Sequence, residues 1–362
     1  MISSSLLEIG SKFGDYTVVK LLGKGGMGEV YLVEKDGINY ALKLLSNKIA
    51  KESPVYIKRF LREANIAMRI RQENLVAVHA FGKDDASSLY YIVMDYVSGC
   101  DLRSVIALGG AMEPDEAVRI ILSVARALAA AESLGVVHRD IKPENIMIED
   151  NGTVKLVDLG VAKARGTDSL STMPRTVFGT PNYISPEQAQ DASRVNFRAD
   201  VYSMGVVLYE LLTGKRPYEC DKPKEVLAKL LSPEELPDVR EIRPEVPAKI
   251  SAVLKLMLAK DPEKRIASAS KLLEVFSRVG YDVSNNVEAG RYPKKSAEPE
   301  FKYSAYDSTV SNNTLSFDTQ DEEIKSFVNA IKARRRREKI LRVAAVALGV
   351  VLVLLIIFKF VI

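Results

Sequence analysis

Between residues 14 and 95 apolar and polar positions alternate in short runs: Tyr16 to Leu22, Glu29 to Val33, Asn39 to Leu44, Leu75 to Phe81 and Leu89 to Met94. A period of two, or a short β-rich run, predicts a strand. Residues 55–70 interrupt these runs with helical spacing that puts Glu63 on the same face as Phe60 and Ala67. From Pro114 onward the period becomes helical, with Ala117, Ile121, Leu122, Ala125 and Leu128 on one face and Gly135 as the stop. The pattern predicts an α+β chain with a β-rich lobe over 14–96 and a helical lobe over 97–282, preceded by an N-terminal extension, 1–13.

Beyond residue 282 the periodicity fades. Residues 283–320 are rich in Ser, Asn, Asp, Lys and Glu and read as a flexible linker. Residues 321–342 begin acidic and end basic, with Ile324, Phe327, Val328 and Ile331 at helical spacing, which suits a juxtamembrane helix. The stretch 343–362 is apolar apart from Lys359. As a helix it would be roughly 30 Å long, the thickness of a bilayer's hydrocarbon core, so a single transmembrane helix is expected. Arg334 to Arg337, with Lys339 and Arg342, precede it and mark the cytoplasmic side. Met1 to Gly10 has no basic stretch leading into an apolar one, so no export signal is expected. The expected location is therefore a cell membrane, single-pass, with the bulk of the chain in the cytoplasm and lipid as a partner of the C-terminal segment.

Composition narrows the chemistry. With 362 residues, 47% of them hydrophobic, the chain can build a substantial core, and its net charge of +4 is concentrated in the arginine cluster, which argues against a nucleic-acid partner. Two cysteines, Cys100 and Cys220, lack metal-site spacing, and two histidines, His79 and His138, are too few for a His-based metal centre.

Candidate chemistry gathers in His138-Arg139-Asp140-Ile141-Lys142-Pro143-Glu144-Asn145, where an acid, a lysine and an amide fall within six residues. A second acid, Asp158, ends the apolar run Val154 to Val157. An acid can orient a hydroxyl nucleophile and a lysine can neutralise a moving phosphoryl group. An amide with a further carboxylate can hold magnesium against a phosphate chain. Gly23-Lys24-Gly25-Gly26-Met27-Gly28 fits GxGxxG, which alone is a weak signal. A dinucleotide fold would place a helix after it, whereas Glu29 to Val33 alternates as a strand, so a hairpin folding over phosphates is favoured. Lys43 closes Tyr40-Ala41-Leu42-Lys43, and Glu63, an acid on an inward stripe, needs a cation that Lys43 can supply.

In this order these motifs resemble, over residues 14–282, the bacterial membrane-bound Ser/Thr protein kinases. The resemblance implies a bilobal protein kinase fold using ATP and Mg²⁺, with Mn²⁺ as a workable substitute, and transfer of the γ-phosphoryl group to Ser or Thr hydroxyls of protein substrates. It implies that Asp140 receives or orients the hydroxyl proton, that Lys142 steadies the γ-phosphate, and that Asn145 and Asp158 bind metal. Lys43 would meet the α- and β-phosphates and form an ion pair with Glu63. The hinge strand Tyr91 to Val97 would place Met94 at the gatekeeper position and offer backbone groups of Asp95 and Val97 to adenine, with Val30 and Ala41 above the ring and Met147 below. Scaffold roles fall to Asp200, behind the catalytic loop, and to a buried Glu187–Arg265 pair. Asp158-Leu159-Gly160 replaces the family's Asp-Phe-Gly and Ser185-Pro186-Glu187 its Ala-Pro-Glu. Ala162 to Thr180 would be a hydroxyl-rich activation loop, autophosphorylated first at Thr176 and then at Thr172, in trans between copies on a membrane, with homodimers compatible. Glu144 could favour basic residues before the acceptor. The non-enzyme alternative, a pseudokinase scaffold, is disfavoured because Lys43, Glu63, Asp140, Asn145 and Asp158 are all present. A small-molecule kinase is disfavoured by Gly179 to Glu187, which resembles a protein-substrate groove.

Overall fold

A computed structural model describes residues 5–25, 28–52, 54–158, 181–191, 194–220 and 222–284. Gly26, Met27, Leu159, Thr172, Thr176 and Thr180 lie outside these residues, as do the linker beyond Ser284, the basic segment and the apolar C-terminal stretch. Among the described residues no helix is long and apolar enough to cross a membrane.

The first lobe is a six-stranded antiparallel sheet ordered β1-β2-β3-β4-β6-β5. Its strands are β1 (Lys12–Phe13), β2 (Tyr16–Gly25), β3 (Gly28–Lys35), β4 (Ile38–Leu45), β5 (Val78–Lys83) and β6 (Tyr90–Asp95). Between β4 and β5 come α1 (Asn47–Glu52) and α2 (Pro54–Ala67), the latter turning Phe60, Ala64 and Ala67 into the core. The run expected as a strand over Leu75–Phe81 pairs only from Val78. Leu75 and Val76 instead reach the second lobe, where the Val76 N–H donates to Leu156 O at 3.1 Å and the Leu156 N–H to Asn74 O at 2.7 Å.

The second lobe opens with a small sheet, β7 (Gly99–Asp101), β8 (Ile146–Glu149) and β9 (Val154–Leu156). Its helices are α3 (Leu102–Gly109), α4 (Pro114–Glu132), α5 (Pro186–Gln190), α6 (Phe197–Thr213), α7 (Pro223–Leu231), α8 (Val239–Ile242), α9 (Ala248–Met257) and α10 (Ala269–Arg278). The α4 face read from the sequence is buried, and α4 packs on α6 and α10. Nearly all of α6 is buried, including Asp200 and Glu210, so both carboxylates require partners. Each finds them near the catalytic loop.

Candidate active site

The glycine-rich hairpin joins β2 to β3, with Lys24 opposite Glu29 and Gly25 opposite Gly28. Only glycine fits at position 28, because a Cβ there would lie 1.8 Å from Leu44 O. The next strand, β4, carries Lys43 two residues after Ala41, which is paired with Met94 on β6. Val30, Ala41, Met94, Val97 and Met147 belong to one buried apolar cluster, as an adenine slot requires. At the crossover between lobes the Asp95 N–H donates to Ala77 O at 3.0 Å, so its carbonyl is the main-chain group to consider for adenine. Sequence reasoning missed the Asp95 side chain. It accepts from the Ala77 N–H at 3.1 Å and meets His79 Nε2 at 2.6 Å, binding β5 to the hinge; the separation of sixteen residues gives no local signal.

Asp200 builds the catalytic loop from below. Its two carboxylate oxygens accept the N–H groups of His138 and Arg139 at 2.8 and 2.7 Å. Burial pushes its carboxyl up to about 7, opposed by those two N–H donors. The same contacts help hold Arg139 in a left-handed conformation, φ +67°, unusual for a non-glycine residue, immediately before Asp140. Gln188 secures the other side by donating to Arg139 O at 3.0 Å. His138 is fully buried and structural, its Nδ1 accepting from the Asp140 N–H at 3.3 Å.

Above this floor the expected residues converge. Asp140 Oδ2 lies 3.3 Å from Lys142 Nζ, and the Asn145 amide donates to Asp140 O at 2.8 Å and to Oδ2 at 3.2 Å. The Val157 N–H bonds Asn145 O at 2.9 Å and sets Asp158 beside that turn. Asn145 Oδ1 is buried and, among the described residues, accepts no hydrogen bond, so an oxygen donor stands ready next to a carboxylate. Oxygen-only donors, too few for a closed cage, suit magnesium, which keeps waters and takes phosphate oxygens as its remaining ligands. Asn145 and Asp158 would hold it.

The expected Lys43–Glu63 ion pair is not formed. Among the described contacts Lys43 Nζ pairs with Asp158 Oδ1 at 2.6 Å. Two carboxylates compete for one ammonium, and Asp158 takes it. Burial works to lower the Lys43 pKa, yet Asp158 first and Glu63 second outweigh it and the net shift is upward. Glu63 lines a cavity together with Lys43, Val78, Ile92, Met94 and Asp158. Burial pushes its carboxyl up to about 8; Lys43 opposes this, while Asp158 and Asp140 add to it. Glu63 therefore holds a proton at neutral pH when folded, whereas an unfolded Glu releases it near pH 4.3. Stability from the neutral form is complete below the unfolded value and is lost as pH rises through about 8. Glu63→Gln cannot ionise. Between pH 6 and 9 the wild-type Tm should fall by roughly 5–10 °C more than that of the variant in parallel thermal melts, and parallel curves would refute the assignment.

Glu144, the carboxylate expected to favour basic substrate residues, is paired through one oxygen with an arginine of its own chain. Arg103 on α3 donates through Nε to Glu144 at 3.0 Å and through Nη1 to Glu210 at 2.8 Å, and it also bonds the Tyr183 hydroxyl. The sequence hides this cluster because its members come from four separate elements. The buried scaffold pair is present: Arg265 meets Glu187 through both terminal guanidinium nitrogens at 2.6 and 3.1 Å.

Comparison with known proteins agrees with this geometry. Residues 16–276 match the protein kinase domain family. The chain is 40% identical over 268 residues to the serine/threonine-protein kinase PknH of Mycobacterium bovis, covering 73% of this chain and 44% of that one. It is 35% identical over 261 residues to the serine/threonine-protein kinase PrkC of Bacillus subtilis, covering 72% and 39%. The matched region thus spans less than half the length of these relatives. Among solved structures, the Mycobacterium tuberculosis PknI kinase domain superposes with a TM-score of 0.58 at 30% identity, over 75% of this chain and 98% of that domain.

Proposed function

The chain belongs to the protein kinase family, in its bacterial Ser/Thr branch, and from that premise we propose that it transfers the γ-phosphoryl group of ATP to Ser and Thr hydroxyls of proteins while tethered to a membrane. The observation that carries the reading is the convergence of Asp140, Lys142 and Asn145, all within 3.3 Å of a neighbour in the set, beside the Lys43–Asp158 pair. Bound Mg·ATP supplies the activated phosphoryl group and the charge compensation its transfer needs. Asp140 orients the acceptor hydroxyl and takes its proton, while Lys142, beside it, offsets negative charge on the phosphoryl oxygens. Asn145 and Asp158 would hold the metal, and Lys43, paired with Asp158 here, would meet the α- and β-phosphates. Apolar walls at Val30, Ala41, Met94, Val97 and Met147 bury the adenine.

Membrane attachment is supported by the apolar run 343–362 behind its arginine cluster, and activation by the hydroxyls at Thr176 and Thr172. A phosphate on that loop would find a cation in Arg139, next to the catalytic acid. Incubation with ATP, magnesium and a generic protein acceptor should yield phospho-Ser and phospho-Thr, with mass spectrometry finding Thr176 phosphate in active protein but not in Asp140→Asn. Acceptor phosphate confined to tyrosine would overturn the specificity, and active protein bare of loop phosphate would overturn the activation step.

A further inference from the structure

The segment ahead of β1, set apart by its sequence as an extension, is built into the phosphate-facing hairpin. Glu29 follows Gly28 directly and is only 3% exposed. Its Oε1 pairs with Lys24 across the hairpin at 2.8 Å. Its Oε2 accepts from the Leu6 N–H at 2.7 Å and from the Tyr31 hydroxyl, and that hydroxyl accepts from the Leu7 N–H at 3.0 Å. Leu6 and Leu7 also pack on the apolar cluster of Phe13, Val18, Tyr31, Val33, Leu42 and Leu44. Two main-chain bonds, Gly10 N–H to Val18 O at 2.8 Å and Val18 N–H to Ser11 O at 2.9 Å, fasten the segment to β2.

A carboxylate this deeply buried costs several kcal/mol unless its oxygens are satisfied. Here one donor comes from the hairpin's own lysine, one from a core tyrosine and one from the N-terminal main chain. Burial works to raise the Glu29 pKa, but the Lys24, Tyr31 and Leu6 donors prevail and hold it below the ordinary value. The ionised side chain is thus a three-way joint between β2, β3 and the N-terminal segment.

We propose that residues 5–11 are a strap that acts through Glu29 to fix the two strands of the glycine-rich hairpin, β2 and β3, making Glu29 a positioning residue for ATP. This rests on the kinase reading above, in which the hairpin covers the nucleotide phosphates. Leu6→Pro deletes the N–H donor and keeps apolar bulk, and Glu29→Gln keeps the side-chain shape without its charge. In the full-length chain, each should raise the KM for ATP about tenfold, roughly 1.4 kcal/mol of lost binding, while leaving kcat and the KM for the protein acceptor within about twofold. Because both act through one joint, the double variant should be no worse than the more damaging single one. Thermal melts identify folded protein, and Tyr31→Phe, which removes the hydroxyl from the same joint, supplies a third variant with the same expected KM split. An unchanged KM for ATP in folded Leu6→Pro, or losses that multiply in the double variant, would overturn the strap while wild-type ATP binding left the kinase reading standing. Failure of wild-type protein to bind ATP would overturn both.

Discussion

Asp140→Asn is expected to lower kcat for protein phosphorylation by about 10²- to 10⁴-fold, the usual contribution of a positioned acid–base group. Asn has the volume of Asp and can still accept from the Asn145 amide, now at 3.2 Å, and lie beside Lys142, now at 3.3 Å. The floor of the loop, His138 and Arg139 held by Asp200, is untouched. What is lost is the charge that draws the hydroxyl proton. The loss, roughly 3–5 kcal/mol of transition-state stabilisation, should therefore fall on kcat, with the KM for ATP nearly unchanged. Steady-state kinetics checks this, and equal turnover by the two proteins would remove Asp140 from the mechanism.

Arg265→Ala is expected to destabilise the fold by about 3–5 kcal/mol, the cost of breaking a buried ion pair by deleting one partner. The Arg265 side chain is fully buried and that of Glu187 is 13% exposed. Beyond the bidentate bond, the guanidinium donates to Ala259 O at 3.0 Å and to Arg198 O at 2.9 Å, and it stacks over Tyr202 with 4.9 Å to the ring centroid. Truncation would strand a carboxylate and two carbonyls around a cavity. At roughly 2–4 °C per kcal/mol, Tm should drop by about 6–20 °C. Arg265→Lys keeps the charge but not the planar fork, so it should fall between the two. A melt of Arg265→Ala within about 2 °C of wild type would contradict this account of the pair.

Both residues were legible in the sequence, and the reason is the same. Asp140, Lys142 and Asn145 are neighbours in the chain, so their chemistry is visible without a fold, and β3, β4 and α4 announce themselves by period. Glu187 and Arg265 could be paired because the surrounding motifs resemble a known family. What escaped reading depends on which distant group reaches a charge first. Lys43 has two candidate acids, and sequence order cannot say that Asp158 takes the ammonium while Glu63 stays protonated. Arg103 lies 107 residues from Glu210, and nothing local couples them. The strand Lys12–Phe13 is too short for a period, which is why the segment before it looked like an extension although Phe13 lies in the core.

The central claim is that Lys43, Asp140, Lys142, Asn145 and Asp158 form one site for a metal-bound triphosphate, and calorimetric titration with ATP, with and without magnesium, tests it most directly. One nucleotide per chain should bind, and magnesium should tighten binding by at least about tenfold, roughly 1.4 kcal/mol, in wild type but not in Asp158→Asn. Binding indifferent to magnesium, or equally tightened in the variant, would contradict the account.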